Sequence, residues 1–557
     1  MTLQRALVQR LLNTCGWVAM RVDPQVSNIT RRSVLGGAFA IAAGLGLDWT
    51  RPGKVALAGE TTHADRHALP DVEVALRAKK GIAVLDPASG RPTEIWRFDG
   101  RLLKGPADAL VPSADSYLGP TFRVRPGQRL RVQFDNALDE SSIVHWHGLD
   151  VAAENDGHPR LAVGPGGHYV YDFQITNRPG TYWYHPHAHG RTGPQTYAGL
   201  AGLFIVSDGD DEARGLPGAA FDLPLVLQDR LLGEQGQLVY APDMMLGMLG
   251  DRTFVNGRPS PIIEVKAGSY RLRVLNGSNA RIYKLGWSDG APVTVVGSDG
   301  GLLAAPTSRP YVVLAPGERA ELWADFGRRP AGDDVWLESQ AFTVGGSHMM
   351  GMGGGMRGGM MGGGMMGRGS GGPTNGAPMR LCHFSVRGKG VTKPLPRQLA
   401  PVHFRPAAEV SNQGAPRSFE VSMMMMRWVL NGGPFEMTEV APNERIQLGA
   451  TEDWEFSNLG GTGMGMGMAM ATAHPIHLHG GQFQVVSRAV APASQEAAST
   501  LGQGFLDEGW KDTFLLRPGE RVRVRVRFAN HAGLYLYHCH NLEHEDMGMM
   551  RNFLVAA

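Results

Sequence analysis

Residues 517–528 read RPGERVRVRVRF, a Pro-Gly turn followed by strictly alternating apolar and charged side chains. Such alternation places every second side chain on the same face of an extended strand, so that the valines face a core. The pattern recurs at 121–134 (TFRVRPGQRLRVQF), 169–175, 270–275 and 315–326. Short alternating strands separated by frequent Gly and Pro turns predict an all-β chain built from β-sandwich domains.

A chain of 557 residues is too long for one hydrophobic core. We place domain boundaries near residues 210 and 400, which gives domains at 59–210, 211–400 and 401–557. A repeat supports this division, because a Gly-Tyr-rich strand ends in histidine both at 180–185 and at 533–538. Repeated strands of this kind are typical of duplicated domains.

Charge and cysteine content limit the possible functions. The formal net charge is only +2, which argues against nucleic acid as a partner. The chain has three cysteines, and Cys15 lies upstream of what looks like an export signal. A disulfide between Cys382 and Cys539 is possible, but Cys539 has a better use as a thiolate metal ligand. We expect a monomer.

Residues 1–58 read as an export signal. The sequence Thr30-Arg31-Arg32-Ser33-Val34-Leu35 resembles a twin-arginine motif, although Val34 stands where Phe is more usual. An apolar stretch follows up to Leu47, and Ala56-Leu57-Ala58 offers a small-x-small cleavage site. A membrane anchor is the alternative for this stretch, and no other stretch could span a bilayer. We expect a periplasmic protein exported by the twin-arginine route.

Ten of the nineteen histidines fall in four short blocks. The blocks are His145-Trp-His147-Gly, His185-Pro-His187, His474-Pro-Ile-His477-Leu-His479-Gly and His538-Cys539-His540 with His544. On a strand, residues i and i+2 share a face, so each His-x-His pair converges on one side. In the last block His538 and His540 face one way and Cys539 the other, so one strand reaches two metal sites.

The ligand types indicate copper at one of these sites. A Cys thiolate, two imidazoles and a weak thioether form a blue-copper set. Cys539, His544 and Met549 have the spacing C-x4-H-x4-M, and His474 can supply the second imidazole from a distant loop. Structural zinc would need C-x2-C pairs, which the sequence lacks.

The four blocks, in this order, resemble those of the multicopper oxidase family, which includes laccases, ascorbate oxidase, ceruloplasmin-type ferroxidases and bacterial cuprous oxidases. The resemblance covers residues 70–557 and implies three cupredoxin-like Greek-key sandwiches. It also implies one-electron oxidation of a substrate at a type 1 copper, coupled to four-electron reduction of O2 to water at a trinuclear cluster.

The resemblance implies four copper ions with these ligands: His474, Cys539, His544 and Met549 for type 1; His145 and His477 for type 2; His147, His185 and His540 for one type 3 ion; and His187, His479 and His538 for the other. His189 continues the alternation, and we expect it to support these ligands. Asp156, after the first block, and Glu545, in the continuation of the Cys539 strand, resemble the acids that supply protons to such clusters. Exposed loop carboxylates are the alternative for both.

Met-rich segments of the sequence suggest that the reductant is Cu(I). Residues 345–379 hold an insert whose first part, Gly345 to Gly372, is almost entirely Gly and Met, and such a segment should be mobile. Shorter Met-rich runs occur at 463–470 and 423–426. Thioethers suit Cu(I), and the insert resembles that of bacterial cuprous oxidases. In that family an Asp and a Met a few residues before this histidine help to form the substrate Cu(I) site. This sequence has Met470 and Thr472 in that stretch, so the substrate site cannot be assigned residue by residue.

We therefore expect a cuprous oxidase that acts in copper tolerance. The alternatives are a laccase-like oxidase of phenols and aromatic amines, and a periplasmic copper-sequestering protein. A copper nitrite reductase would lack the trinuclear cluster, so the His-Cys-His block counts against it. The insert could also be a disordered linker, although a linker gains nothing from oxidisable side chains.

Overall fold

The computed structural model describes residues 69–113, 115–211, 213–344, 372–424, 427–459 and 472–557. The twin-arginine motif, the Gly-Met part of the insert and the 463–470 run lie outside these residues. In the described part of the chain, no helix has the length and apolar character needed to cross a bilayer.

The first sandwich consists of a four-stranded and a five-stranded sheet, in the strand orders β2-β1-β5-β7 and β3-β4-β9-β8-β6. Its core is made of alternate residues of these strands, such as Val72, Val74 and Leu76. The strands are β1 Val72–Ala83, β2 Thr93–Lys104, β3 Leu110–Val111, β4 Thr121–Val124, β5 Arg129–Asn136, β6 Val144–His147, β7 His168–Gln174, β8 Gly180–Pro186 and β9 Gly202–Val206, with helix α1 at Thr192–Ala198.

The second sandwich pairs a seven-stranded sheet, β12-β11-β10-β14-β19-β16-β17, with a five-stranded sheet, β13-β21-β20-β15-β18. The strands are β10 Asp222–Arg230, β11 Arg252–Val255, β12 Arg258–Pro259, β13 Ile262–Ala267, β14 Ser269–Asn276, β15 Tyr283–Trp287, β16 Val293–Ser298, β17 Gly301–Arg309, β18 Val312–Leu314, β19 Arg319–Asp325, β20 Asp334–Ser339 and β21 Met379–Lys389.

The third sandwich consists of two five-stranded sheets, β23-β22-β25-β29-β27 and β24-β31-β30-β26-β28. In the opening stretch of sequence, Val522, Val524 and Val526 on β29 are buried as the alternation predicts. The elements are β22 Arg417–Met424, β23 Arg427–Leu430, β24 Arg445–Gln447, β25 Thr451–Asn458, β26 His474–Leu478, β27 Phe483–Val490, α2 Gln495–Ser499, β28 Thr513–Leu516, β29 Glu520–Arg527, β30 Gly533–Cys539, α3 Leu542–Asp546 and β31 Met550–Ala556.

The first and third sandwiches carry their histidine strands at corresponding places. In the first, β8 lies between β9 and β6; in the third, β30 lies between β31 and β26. The predicted three β-sandwich domains are confirmed, while the boundaries near residues 210 and 400 stay predictions. Apolar side chains join the sandwiches, for example Trp183 with Phe254 and Tyr311 with Phe505.

Candidate metal centres

A cysteine and two histidines meet inside the third sandwich. Sγ of Cys539 lies 3.5 Å from Nδ1 of His474 and 3.7 Å from Nδ1 of His544, and the two Nδ1 atoms are 3.3 Å apart. All three side chains are fully buried. The trio thus forms a compact thiol–imidazole donor set.

Local structure explains how distant residues reach this point. His474 begins β26, which pairs with β30, whose last residue is Cys539. Asn541 caps helix α3, and one helical turn returns His544 towards Cys539. The buried Met549 follows, and its carbonyl oxygen accepts from the N–H of Cys539 at 3.0 Å. Two predictions were therefore wrong, because His474 lies on a strand rather than a loop, and Glu545 lies on α3 rather than a continued strand.

Eight other histidines meet where the first and third sandwiches touch. They are His145, His147, His185, His187, His477, His479, His538 and His540, all buried. The closest ring nitrogens are Nε2 of His479 and His538 at 3.1 Å, and Nε2 of His145 and His477 at 3.4 Å. Nε2 of His187 and His538 are also 3.4 Å apart. We call this set the histidine cluster.

The histidine cluster divides into overlapping groups. His187, His479 and His538 bring their ligand atoms within 4.8 Å of one another, as do His145, His477 and His479. The His540 ring lies 5.3 Å from the ring of His185 and 4.9 Å from that of His147, between centroids. His538 and His540 stack on one side of β30, whereas Cys539 points to the other. One strand therefore contributes to both centres.

The imidazoles are in the form that metals bind. Burial lowers the pKa of His145, His477 and His479 well below the usual range and that of His185 to about 4, so these rings are neutral at pH 7. Nε2 of His185 and both ring nitrogens of His540 have no hydrogen-bond partner among the described residues. Buried polar atoms are rarely unpaired, and bound metal would satisfy these nitrogens.

Comparison with known proteins shows the family. Two family models described as multicopper oxidase match residues 100–211 and 410–557. A laccase of Haloferax volcanii is 30% identical over 499 residues, which cover 85% of this chain and 76% of the laccase. The chain belongs to the multicopper oxidase family.

Solved structures of other multicopper oxidases have the same fold. McoA from the hyperthermophile Aquifex aeolicus is 31% identical, with a TM-score of 0.70 over 88% of this chain and 97% of McoA. The enzyme from Campylobacter jejuni, described as a metallo-oxidase, is 25% identical, with a TM-score of 0.65 over 87% of this chain and 91% of that one. Membership of the family identifies copper as the metal.

Two buried acids contact the histidine cluster of this multicopper oxidase. Oδ2 of Asp156 lies 2.7 Å from Nδ1 of His479, and Oε2 of Glu545 lies 3.1 Å from Nδ1 of His538. Burial raises the pKa of Asp156 well above its usual range. For Glu545 burial also acts upwards, but the neighbouring His187 and His538 together lower its pKa below the usual range. The alternative of exposed loop carboxylates is therefore wrong for both.

Other residues at the multicopper oxidase centres were missed from the sequence. Oδ1 of Asp512 lies 3.0 Å from Nε2 of His147, and the backbone oxygen of Asp512 lies 2.8 Å from Nδ1 of His477. Gly148 is the last residue of the first histidine block. A larger residue would not fit at this position, because its Cβ would lie 2.4 Å from Oδ2 of Asp512. The one available signal was the charged pair Lys511-Asp512 just before an apolar strand.

The remaining sequence predictions have mixed outcomes. His189 does not support the histidine cluster, because it is exposed and its ring lies 5.2 Å from Phe435. Strand β8 ends at Pro186, so the alternation does not extend that far. Cys382 and Cys539 are both free, so the disulfide rejected from the sequence is not formed between them, and both are buried, Cys382 in the core of the second sandwich.

Proposed function

We propose that this multicopper oxidase is a cuprous oxidase that takes electrons singly from Cu(I) at the Cys539 centre and reduces O2 to water at the histidine cluster. Bound copper, four ions in all, would supply the one-electron steps and the four electrons that O2 needs. The proposed ligands are His474, Cys539, His544 and Met549 for type 1; His145 and His477 for type 2; His147, His185 and His540 for one type 3 ion; and His187, His479 and His538 for the other.

The chain itself connects the two centres. Cys539 is covalently bonded through the backbone to His538 on one side and His540 on the other, and these rings lie in the histidine cluster. An electron accepted at Sγ therefore has a short covalent path to either type 3 group. Asp156 and Glu545 are proposed to deliver the protons that reduction of O2 consumes.

The assignment of Cu(I) as the substrate rests on methionine residues that lie at the outer edge of the Cys539 centre. Nε2 of His544 lies 3.0 Å from the carbonyl oxygen of Met245, and the adjacent Met244 is 53% exposed. On the other side, the Trp428 ring lies 4.7 Å from that of His474, and Met423 is the direct partner of Trp428 across β22 and β23. Thioethers bind Cu(I) without losing a proton.

The sequence contains further methionines, some of them close to His474 along the chain. Met470 ends the 463–470 run and lies four positions before His474, whose Nε2 is 3.2 Å from Oγ1 of Thr472. The 345–372 segment supplies a further reservoir of thioethers. Both Met-rich segments lie outside the described residues, so their contribution rests on composition.

A direct comparison of reductants tests the proposal. O2 consumption is measured with Cu(I) and with a phenol as the sole reductant, for the natural protein and for a Met244→Leu/Met423→Leu variant. Met244 is exposed and Met423 is only partly buried, and leucine is close to methionine in volume, so the fold should be unchanged. We expect a higher KM for Cu(I) and unchanged oxidation of the phenol. Equal Cu(I) kinetics in the two proteins would count against the assignment.

A laccase-like activity on phenols and aromatic amines is the second candidate, and the similarity to the Haloferax volcanii laccase favours it. A phenol rate far above the Cu(I) rate would establish it. A copper-sequestering protein is the third, and it would bind copper without sustained O2 consumption. For the cuprous oxidase, we propose a periplasmic monomer exported by the twin-arginine route and active in copper tolerance.

A further inference from the structure

The Pro-Gly turn between β18 and β19, residues 316–319, lies against the histidine cluster although the second sandwich supplies no predicted ligand. Every residue from 311 to 320 is buried. The turn carries the chain from one sheet of the second sandwich to the other. Gly317 has φ +88°, which glycine adopts without strain.

Gly317 forms part of the wall of the histidine cluster. A Cβ at this position would lie 3.1 Å from Cε1 of His147 and 3.2 Å from Cδ2 of His540. These two histidines come from the first and third sandwiches respectively. The turn therefore closes the seam between the two ligand-bearing sandwiches, and a larger residue would displace one ring or the other.

Arg319 makes a second connection. Its Nη1 and Nη2 each donate to one carboxylate oxygen of Asp512 at 2.6 Å. The other three N–H groups donate to the carbonyl oxygens of Thr181 at 3.0 Å, Gly317 at 3.0 Å and Asp299 at 2.9 Å. All five guanidinium donors are thus satisfied in a site with no exposure at Arg319 or Asp512.

Asp512, held by Arg319, in turn contacts two histidines of the histidine cluster. It contacts His147 through its carboxylate and His477 through its backbone oxygen. Lys511, the preceding residue, is also fixed by the turn, since its Nζ lies 3.0 Å from Oε1 of Glu318. The first sandwich, the second and the third therefore meet at one buried ion pair.

We propose that the 316–319 turn is the positioning element of the histidine cluster: Gly317 sets how closely His147 and His540 approach, and Arg319 holds Asp512 against His147 and His477. The proposal rests on the ligand roles proposed above, but not on the identity of the reductant. Partners behind a metal ligand orient it, and their loss weakens metal binding by about 10–100-fold.

A matched glycine pair tests the first half. Gly127 occupies the same kind of Pro-Gly turn with φ +87°, and its Cβ would have no atom within 4 Å. Gly317→Ala and Gly127→Ala therefore carry the same backbone strain and differ in what the methyl group meets. Copper retained against increasing chelator is measured on the copper-loaded full chain without any reductant, together with the blue absorption of the type 1 site.

We expect both copper-free variants to lose Tm through the shared backbone strain, and Gly317→Ala to lose more, because its methyl group also meets two buried rings. Gly317→Ala alone should hold the copper of the histidine cluster about 10–100-fold more weakly, with the blue absorption kept. Equal copper retention by the two variants would overturn the role of Gly317. Because no reductant is present, an error about Cu(I) as substrate leaves this result unchanged.

Two arginine variants test the proposed role of Arg319. Arg319→Lys keeps the charge but cannot satisfy five acceptors, and Arg281→Lys is the control, since Arg281 is equally buried and pairs with Asp229 at 2.7 Å. We expect Arg319→Lys to change the type 2 electron paramagnetic resonance signal and to release cluster copper, while Arg281→Lys lowers only Tm. An unchanged type 2 signal and unchanged copper content in folded Arg319→Lys would overturn the proposal.

Discussion

Asp156 of the first sandwich and His479 of the third are joined by a contact of 2.7 Å between Oδ2 and Nδ1. The backbone oxygen of Asp156 also lies 2.6 Å from Nδ1 of His145, so one residue orients two histidines of the histidine cluster. Its Oδ1 is buried and has no hydrogen-bond partner among the described residues. A carboxyl group whose pKa is raised by burial keeps a proton that it can donate to the proposed site of O2 reduction.

Removal of either cluster acid should therefore slow the O2-reducing half of the reaction. Asp156→Asn and Glu545→Gln are each expected to lower turnover by about 100-fold or more, the range for a lost general acid or base, with Asp156 as the proton donor and the ionised Glu545 as a group that accepts protons and passes them on. The blue colour and the rate at which substrate reduces the type 1 copper should stay unchanged, as followed by rapid mixing. The exposed neighbour Glu154 provides the control, Glu154→Gln. An equal loss in the reductive step would place the acids elsewhere in the mechanism.

The two described cysteines allow a clean test of the type 1 site. Cys539→Ser should abolish the blue absorption and all oxidase activity while the fold is kept, because a hydroxyl group does not form a copper thiolate. Cys382→Ala removes the equally buried cysteine of the second sandwich and should keep both. Circular dichroism and copper content check the fold and loading. A blue, active Cys539→Ser protein would refute the ligand assignment.

The ligand-bearing blocks were visible in the sequence because chemistry and spacing are local properties. Cys539, His544 and Met549 lie within eleven residues, and alternation fixes which way His538 and Cys539 point. The positions of Asp512, Arg319 and Gly317 were not predictable in this way. Arg319 meets Asp512 from 193 positions away, so no periodic pattern links them, and only the packing of three sandwiches does.

The errors have equally local causes. His189 follows the i+2 rule on paper, but Pro186 is the last residue of β8 and the rule holds only along a strand. Glu545 was placed on a strand because the sequence around Cys539 alternates, yet Asn541 caps a helix immediately afterwards. Side-chain capping acts within three residues and overrides the preceding pattern.

Deletion of residues 345–372 should separate the two substrate proposals. Cu(I) oxidation at low copper concentration should fall, because thioethers that we propose collect Cu(I) are lost, while phenol oxidation should rise, because we propose that the segment shields His474 from large reductants. Both rates are measured on fully copper-loaded protein. A general loss of copper would lower both, so the opposite signs are diagnostic. Unchanged Cu(I) turnover at every copper concentration would show that this segment takes no part in Cu(I) oxidation, and the assignment would then rest on the methionines at the edge of the Cys539 centre alone.

The copper-free protein should be unstable in acid. Burial lowers the pKa of His185 and His544 from 6.5 to about 4. Between these values the unfolded chain binds protons that the folded protein does not, so the stability that these two histidines contribute is lost as pH falls from 6.5, and this loss is complete below about pH 4. Each of these histidines contributes about 3 kcal/mol to that loss.

Urea unfolding of the copper-free protein at pH 7.5 and pH 4.5 measures this effect. The copper-loaded protein should show a weaker dependence, because a bound metal holds the imidazoles neutral. His544→Asn in the copper-free protein should reduce the pH dependence by the share of one histidine. Stability that does not change over this range would show that the rings are protonated inside the folded protein.

The proposed export signal can be tested independently of the chemistry. Arg31→Lys/Arg32→Lys should leave active, folded enzyme in the cytoplasm, since the twin-arginine route requires the arginine pair. Arg21→Lys, which removes an arginine outside the motif, is the control. Fractionation of cells and oxidase assays on each fraction give the result. Normal periplasmic activity of the double variant would indicate export as an unfolded chain.

The contact between His187 and His538 has a consequence for the order of events during synthesis. The two residues are 351 positions apart, and nearly the whole chain must leave the ribosome before they can meet. Contacts of such long sequence separation form late in folding. Copper can therefore complete the histidine cluster only in a nearly full-length chain, and premature termination anywhere before His538 removes Cys539, His544 and Met549 from the proposed type 1 set and at least one histidine from each proposed type 3 set.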